Sequence, residues 1–436
     1  MATVGIRWVS DIAVFKTISG SEFPLVCVEG YLTPGDGGGG YFYLTTDTTS
    51  HDNGATIIVL NDGTIFYRIW QGEPFSVLWA GADPTGASPS DSAFATAASV
   101  SSVLYVPVGR YRLESQFSYT LAVGQGSFTL KGDGSEASVL FFPNNSGMAI
   151  TYNAASDGQV HVRDISITAG VAGVGSGVQL IYSSTTGING GITDLSRLKI
   201  RGDDGVGALY WNNAISIVGA SNVNMDGIAI TGPAKYAEAT NANGIVINGN
   251  SIGSIVFNIT NSTIYNVYTG VTYGSYAQGV FVTNSQLTNM VQGILIPEGT
   301  VKIDELCVSN SQFTTDESCI ISLAPTGNVQ IANNLLTFGN AVPATTTGII
   351  QGQFGNATIT GNAFDGSSST GNTVFGIIIT SGPSGAITGN VFIIMDTGIW
   401  LQANVNHFNV QSNSYNAVTT LVINNGSNNI IGGGSP

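Results

Sequence analysis

Positive charge is scarce in this sequence, and it stops early. Of 436 residues only 12 are Lys or Arg, against 27 Asp and Glu, for a net charge of −15. The cations are Arg7, Lys16, Arg68, Arg110, Arg112, Lys131, Arg163, Arg197, Lys199, Arg201, Lys235 and Lys302, and residues 303–436 contain none. A nucleic-acid surface needs a basic face, so no nucleic-acid partner is expected. An acidic ligand stays possible, because one local basic patch suffices. Charged residues make up only 9%, yet 43% hydrophobic content excludes a disordered chain. Cysteine is as rare. Cys27, Cys307 and Cys319 form neither a disulfide framework nor a metal-site spacing, and read as small buried apolar residues. His51, His161 and His407 lie far apart. No metal site and no other cofactor is expected, with a structural or catalytic divalent cation left open. No apolar run reaches about 18 residues, so no membrane span is expected. The N-terminus lacks the basic-then-apolar pattern of a signal peptide.

What is present is repetition. From about residue 160 a pattern recurs: alternating residues, a polar pair rich in Asn, then a large apolar residue. It occurs as "FNITNSTI" (257–264), "FVTNSQL" (281–287), "CVSNSQF" (307–313), "QIANNLL" (330–336), "TITGNAF" (358–364), "AITGNVF" (386–392) and "NVQSNSY" (409–415). The last apolar residues are Ile264, Leu287, Phe313, Leu336, Phe364, Phe392 and Tyr415, spaced 23 to 28 apart. Looser matches extend back to Ile228, Leu198 and Ile167. Period-2 alternation at this spacing predicts an all-β right-handed parallel β-helix of about ten or more coils, one repeat per coil. Coils ~4.8 Å apart would make a rod of roughly 50 Å. Asn at a repeated corner fits a stacked amide ladder and tolerates a left-handed backbone. A β-propeller is the weaker alternative. Residues 1–75 read instead as a small β-rich lead-in with Gly-rich and Asp-Gly turns, and the rod as 76–436.

One helix is expected, over about 89–100. Ser88 reads as its cap, Pro89 as its first residue and Asp91 as a capping-box acid. It would cover the open end of the first coil, as capping repeats do in solenoids. Here the chain resembles a known family. "GADPTGASPSDSAFATAA" (81–98) followed by "LYVPVGRYRL" (104–113) is similar to the opening signature of the pectate-lyase-like β-helix superfamily. The lead-in is similar to the segment preceding that signature in bacteriophage and prophage tailspikes. The resemblance rests on motifs over 1–113 and on architecture beyond. It implies a homotrimer on a virion tail, outside the cell, that binds and usually cleaves a bacterial surface polysaccharide. It carries no catalytic residue across. The chain lacks the large terminal domains of the longest tailspikes, so attachment through another phage tail protein is one expectation. A non-catalytic receptor-binding spike and a secreted bacterial polysaccharide lyase or epimerase are the alternatives.

The charge map directs the search for chemistry. Hydrolysis needs two carboxylates, about 5–5.5 Å apart for retention or ~6.5–9.5 Å for inversion. Elimination from a uronate needs a cation and a base. The densest cluster is "RLKIRGDDGVGALYW" (197–211). On a strand, Arg197, Lys199 and Arg201 would share one solvent face, with Asp203 and Asp204 at the turn, then Tyr210 and Trp211. The plain alternative is a solvated face and a polar turn. A coil later, "ITGPAKYAEATNANG" (230–244) brings Lys235, Tyr236 and Glu238 in a long loop that would overhang Asp203 and Asp204. For elimination, Lys235 or Tyr236 is the expected base and Arg201 the neutraliser. For hydrolysis, Asp203 or Asp204 pairs with Asp226 or Glu238, one member having a raised pKa. Tyr265, Tyr268 and Tyr273 are candidate sugar platforms, with core packing as the alternative. Asp316 and Glu317 form a reserve cluster.

Overall fold

The computed structural model describes residues 5–432, apart from 73, 123, 145, 154–156, 185–186, 188–189, 340–346 and 369–372. The lead-in is one five-stranded sheet. Its order is Ile6–Val9, Leu25–Val28, Gly40–Leu44, Ile65–Arg68, Ile57–Val59, parallel in the first pair and antiparallel in the rest. A helical turn that the sequence reading did not anticipate, Ile12–Phe15, places Phe15 against Phe42 and Phe66 in a small core. Asp36 and Asp62 are turn residues. Asp36 accepts the backbone N–H groups of Tyr31, Leu32, Thr33 and Gly38.

From Phe75 onward the chain is a right-handed parallel β-helix. Among the described residues thirty-four strands form one continuous parallel sheet that winds around an apolar core, with three faces to a coil and some later strands running through two faces. The first face carries Val103–Val106, Ser127–Gly132, Gln159–Arg163, Thr193–Ser196 and Val223–Asp226, stacked in that order. The second carries Gly109–Arg112, Ser138–Phe142, Ser166–Ala169, Lys199–Gly202 and Ala229–Thr231. The third includes Trp211–Val218 and Asn243–Asn248. Residues 264, 287, 313, 336, 364, 392 and 415 are direct register partners on the second face, as the repeat predicts. Phe364, Phe392 and Tyr415 stack nearly parallel, with centroids 4.7 and 5.2 Å apart. In the earlier coils the partners are Ile230, Ile200 and Ile167, so Ile228 and Leu198 were placed two residues early. Both are buried at the preceding corner, where they mimic the repeat.

The polar pair divides two tasks. Its first residue is left-handed: Asn261, Asn284, Asn310, Asn333 and Ser412, with Gly361 and Gly389 between. Its second is buried and bonds along the rod. Asn334 donates its N–H and Nδ2 to Oδ1 of Asn362, both at 2.9 Å, and Asn362 repeats this to Asn390 at 3.0 Å. Asn390 does the same to Asn413. Toward the N-terminus the same corner holds Ser311, Ser285 and Ser262, then Ile228, Leu198 and Ile165.

The capping helix is Asp91–Val100, and Phe94 closes the first coil against Tyr111 and Phe117. Its start differs from expectation. Ser90 is the cap residue, and its Oγ accepts the N–H of Asp83 rather than one from the helix. Pro89 lies outside the helix, bridged to Arg112. Asp91 accepts the N–H groups of Glu114 and Ser115, tying the helix to the first coil instead of boxing its own end. Cys27 and Cys319 are buried, whereas Cys307 points outward and is half-buried.

Candidate functional site

The cluster at 197–211 is largely neutralised by partners in other coils. Arg197 is not on the strand. It sits at the corner with φ 51° and grips Asp164 of the coil below at 2.6 and 2.9 Å. Lys199 and Arg201 do share the outer side of Lys199–Gly202. Lys199 pairs with Glu136. Among the described residues the guanidinium of Arg201 donates only a long 3.4 Å bond to the Gly202 carbonyl, and its buried Nε has no hydrogen bond. Asp203 pairs with Arg110 at 2.7 Å, while Arg110 lies over the Phe141 ring. Asp204 accepts from the N–H groups of Ala208 and Leu209, so its carboxylate holds its own turn together.

The long loop does lean on that turn, through the Ala234 N–H and the Gly207 carbonyl. Its side chains go elsewhere. Lys235 and Glu238 pair with each other at 3.2 Å, both exposed. Tyr236 crosses to a later coil and donates to Asp316 Oδ2 at 3.0 Å. Burial, and then the Asp316 charge, push its phenol up to about 12. A phenol held protonated is a poor base. Tyr268 is raised by burial and by nearby Glu317. Tyr265 points outward between Thr231 and Thr288 and is half-buried. Tyr210 donates to Asn241 Oδ1 at 2.9 Å. Trp211 and Tyr273 are core residues, not platforms: Trp211 packs on Phe142 and Tyr273 is fully buried.

Asp226 does not meet Asp203 or Glu238. It ends the Val223–Asp226 strand on the first face, across the Gly227 corner. There it joins residues that sequence reasoning missed. His161, Asp194 and Asn224 are register partners on three adjacent strands, and so are Arg163, Ser196 and Asp226. These two outward columns, with Thr129, line a depression of about 420 Å³. Small Ser196 between the longer Arg163 and Asp226 opens its floor. Asp194 Oδ2 lies 3.0 Å from His161 Nδ1, and its Oδ1 accepts Asn224 Nδ2 at 2.9 Å. The imidazole is thus oriented through Nδ1, and among the described residues Nε2 makes no hydrogen bond. Asp226 accepts Asn261 Nδ2 at 2.7 Å and the Thr260 hydroxyl at 2.8 Å, in that order of effect holding its carboxyl below the usual range. Asp226 is therefore not the raised member expected of the carboxylate pair. Asp194 and Asp226 are diagonal neighbours on adjacent parallel strands, two residues apart in register. The alternation in "QVHVR" was visible, but pairing His161 with Asp194 needs a register that coils without the Asn signal do not give.

Among the described residues no three His, Cys, Asp or Glu are grouped to hold a metal ion, and no helix is long and apolar enough to cross a membrane.

The architecture is that of the parallel β-helix proteins, and residues 9–71 match the family described as the phage tail protein small four-stranded beta-sheet domain. Over the whole chain the fold is similar to the tailspike of Acinetobacter phage vb_AbaP_AS12, with 11% identity and a TM-score of 0.59, covering 98% of this chain and 74% of that one. It is also similar to the catalytic unit of an α-1,3-glucanase from Streptomyces thermodiastaticus, with 16% identity, a TM-score of 0.53 and coverage of 85% and 71%. A third is PfbA, a surface adhesin of Streptococcus pneumoniae, with 13% identity, a TM-score of 0.50 and coverage of 79% and 91%. At these identities the likeness is one of fold. No curated protein matches the chain in sequence.

Proposed function

We propose that this protein is a tailspike-type depolymerase of a phage tail, which binds and cuts a bacterial surface polysaccharide in the first-face depression. The observation that carries this is the set His161, Arg163, Asp194 and Asp226 in one glycan-accessible hollow. The set favours elimination over hydrolysis. His161, oriented by Asp194, is a base for the proton beside a uronate carboxylate. Arg163, two residues along the same strand, is the cation that neutralises that carboxylate. Hydrolysis needs a protonated acid. Asp226 is held in its charged form, and Asp194 is paired with His161. The phage tail match over 9–71 supports the location.

The test is incubation with acidic capsular polysaccharides of candidate hosts, following ultraviolet absorbance of the unsaturated sugar alongside reducing ends. Both should rise, and His161→Gln should slow both by about 100-fold or more. Reducing ends without absorbance would mean hydrolysis. Binding with neither would favour the receptor-binding spike, a reading the adhesin fold keeps open.

The trimer is proposed from the third face. Its outward column runs Val246, Thr272, Leu295, Ile321, Gln351, Ile378, Trp400, Ile423, in unbroken register. Six of these eight are apolar, which suits packing against other copies.

A further inference from the structure

We infer a second, separate sugar site: the pocket between the lead-in and the first coils binds a carboxylate-bearing pyranose. The cavity is about 500 Å³ and is walled by Leu78, Trp79, Tyr105 and Pro107, with Lys131 and Asp133 at its polar side. Apolar and aromatic walls with a few convergent polar groups are what small-molecule sites share. The walls are held before any ligand arrives. Trp79 has Phe75 edge-on at 5.2 Å and the Arg68 guanidinium over its ring. Arg68 is itself fixed by the carbonyls of Ala55, Gly39 and Gly38. Asp133 accepts the Tyr105 hydroxyl at 2.7 Å and the Val108 N–H at 3.0 Å.

Lys131 is the exception. Among the described residues, Lys131 and Arg163 are the two cations that make no ion pair, hydrogen bond or ring contact. They are direct register partners on adjacent strands. Asp164, whose charge both of them feel, is already gripped by Arg197, so neither cation is held by a contact and the pair is open to an anion from outside. Lys131 lines the same pocket as Trp79, and aromatic ring faces stack on the apolar face of a pyranose. Asp133 beside it accepts sugar hydroxyls. A carboxylated pyranose satisfies all three groups at once. One coil further, Arg163 opens the depression proposed for cleavage, so a chain of such sugars would run along the first face from Trp79 toward Asp226. That continuity, but not the pocket itself, rests on the function proposed above.

The test uses the whole chain carrying Arg163→Gln, so that only Lys131 answers an anion. Saturation-transfer NMR is recorded with D-glucuronate and, as the neutral control, D-glucose. Glucuronate should receive the stronger transfer. Adding Lys131→Met should weaken glucuronate binding about tenfold or more and erase the preference, and Lys131→Arg should restore it. No transfer to glucuronate, or transfer undiminished by Lys131→Met, overturns the inference. The cleavage assay is scored separately. Its failure with glucuronate binding intact removes the proposed reaction and leaves this site standing, and the reverse result removes this site alone.

Discussion

At the scale of single residues, the rod is held by side chains that bond along its axis rather than across it. Asn390 shows the economy of this. Its side chain accepts from the N–H and Nδ2 of Asn362, and donates to Asn413 and to the Ile359 carbonyl. Asn390→Ala removes every one of those partners inside the core, at about 1–3 kcal/mol for each buried group left unpaired. Thermal unfolding should show a clear loss, and Asn390→Ser a smaller one, since serine fills this corner at Ser311. Equal melting of all three proteins would refute the ladder's contribution. Arg197 makes a different prediction. Its guanidinium holds the Asp164 carboxyl below the usual range. A lowered folded pKa gives stability that is present above the unfolded value near 3.9 and lost as pH falls through the folded one. Arg197→Met should therefore be less stable at pH 7, by under about 1 kcal/mol because Arg197 is largely exposed. The deficit should vanish in acid, once Asp164 is protonated in both proteins. Denaturant titrations at the two pH values would show it, and a deficit independent of pH would point to packing instead.

At the scale of elements, the capping helix is defined by what it covers. Ala93, Phe94 and Ala97 turn inward, and Phe94 is fully buried against two aromatic rings of the first coils. Phe94→Ala should cost about 3–5 kcal/mol and expose the end of the core to dye binding. Asp91→Ala should cost less, because Glu114 and Ser115 lie near the surface and water can replace the lost bonds. The helix was legible from its composition and the need for a lid; its first turn was not. Ser88 and Pro89 fit a start by pattern, but Pro89 is bridged to Arg112, which fixes that segment as extended chain. The same contrast runs through the coils. Where Asn marks the corner, spacing alone predicted register to the residue. Where Leu198 and Ile228 occupy the corner, two apolar residues in alternation look alike, and the assignment slipped by two. That slip matters for the site. Charge density pointed to Arg197–Glu238, but Arg197, Lys199, Asp203 and Asp226 close on partners in other coils, which only a known register reveals. His161 and Asp194 are 33 positions apart and became neighbours for the same reason.

At the scale of the whole molecule, the three faces differ in what they offer to a partner. The first offers hydrogen bonds and unanswered charge. The second, in its early coils, offers charges already neutralised by one another. The third offers a column of mostly apolar side chains that includes Trp400, whose buried Nε1 makes no hydrogen bond among the described residues. Leu295, Ile321 and Trp400 stay half-buried in the lone chain, outward on coils whose inward positions are already filled by Ile294, Ile320 and Ile399, whereas Ile378 is already buried. Completing their burial on association would return part of the about 1.5–3 kcal/mol that full burial of each is worth, and a column several coils long sums such terms over a continuous strip. Two substitutions on adjacent coils, Leu295→Asp and Ile321→Asp, would place two carboxylates near the middle of the strip. Charges buried unpaired in an interface are strongly unfavourable. The wild type should sediment as a trimer, and the double variant as a monomer that keeps its β-rich circular dichroism. A wild type that sediments as a monomer at micromolar concentration would exclude the third face as a subunit interface, whatever the function of the first.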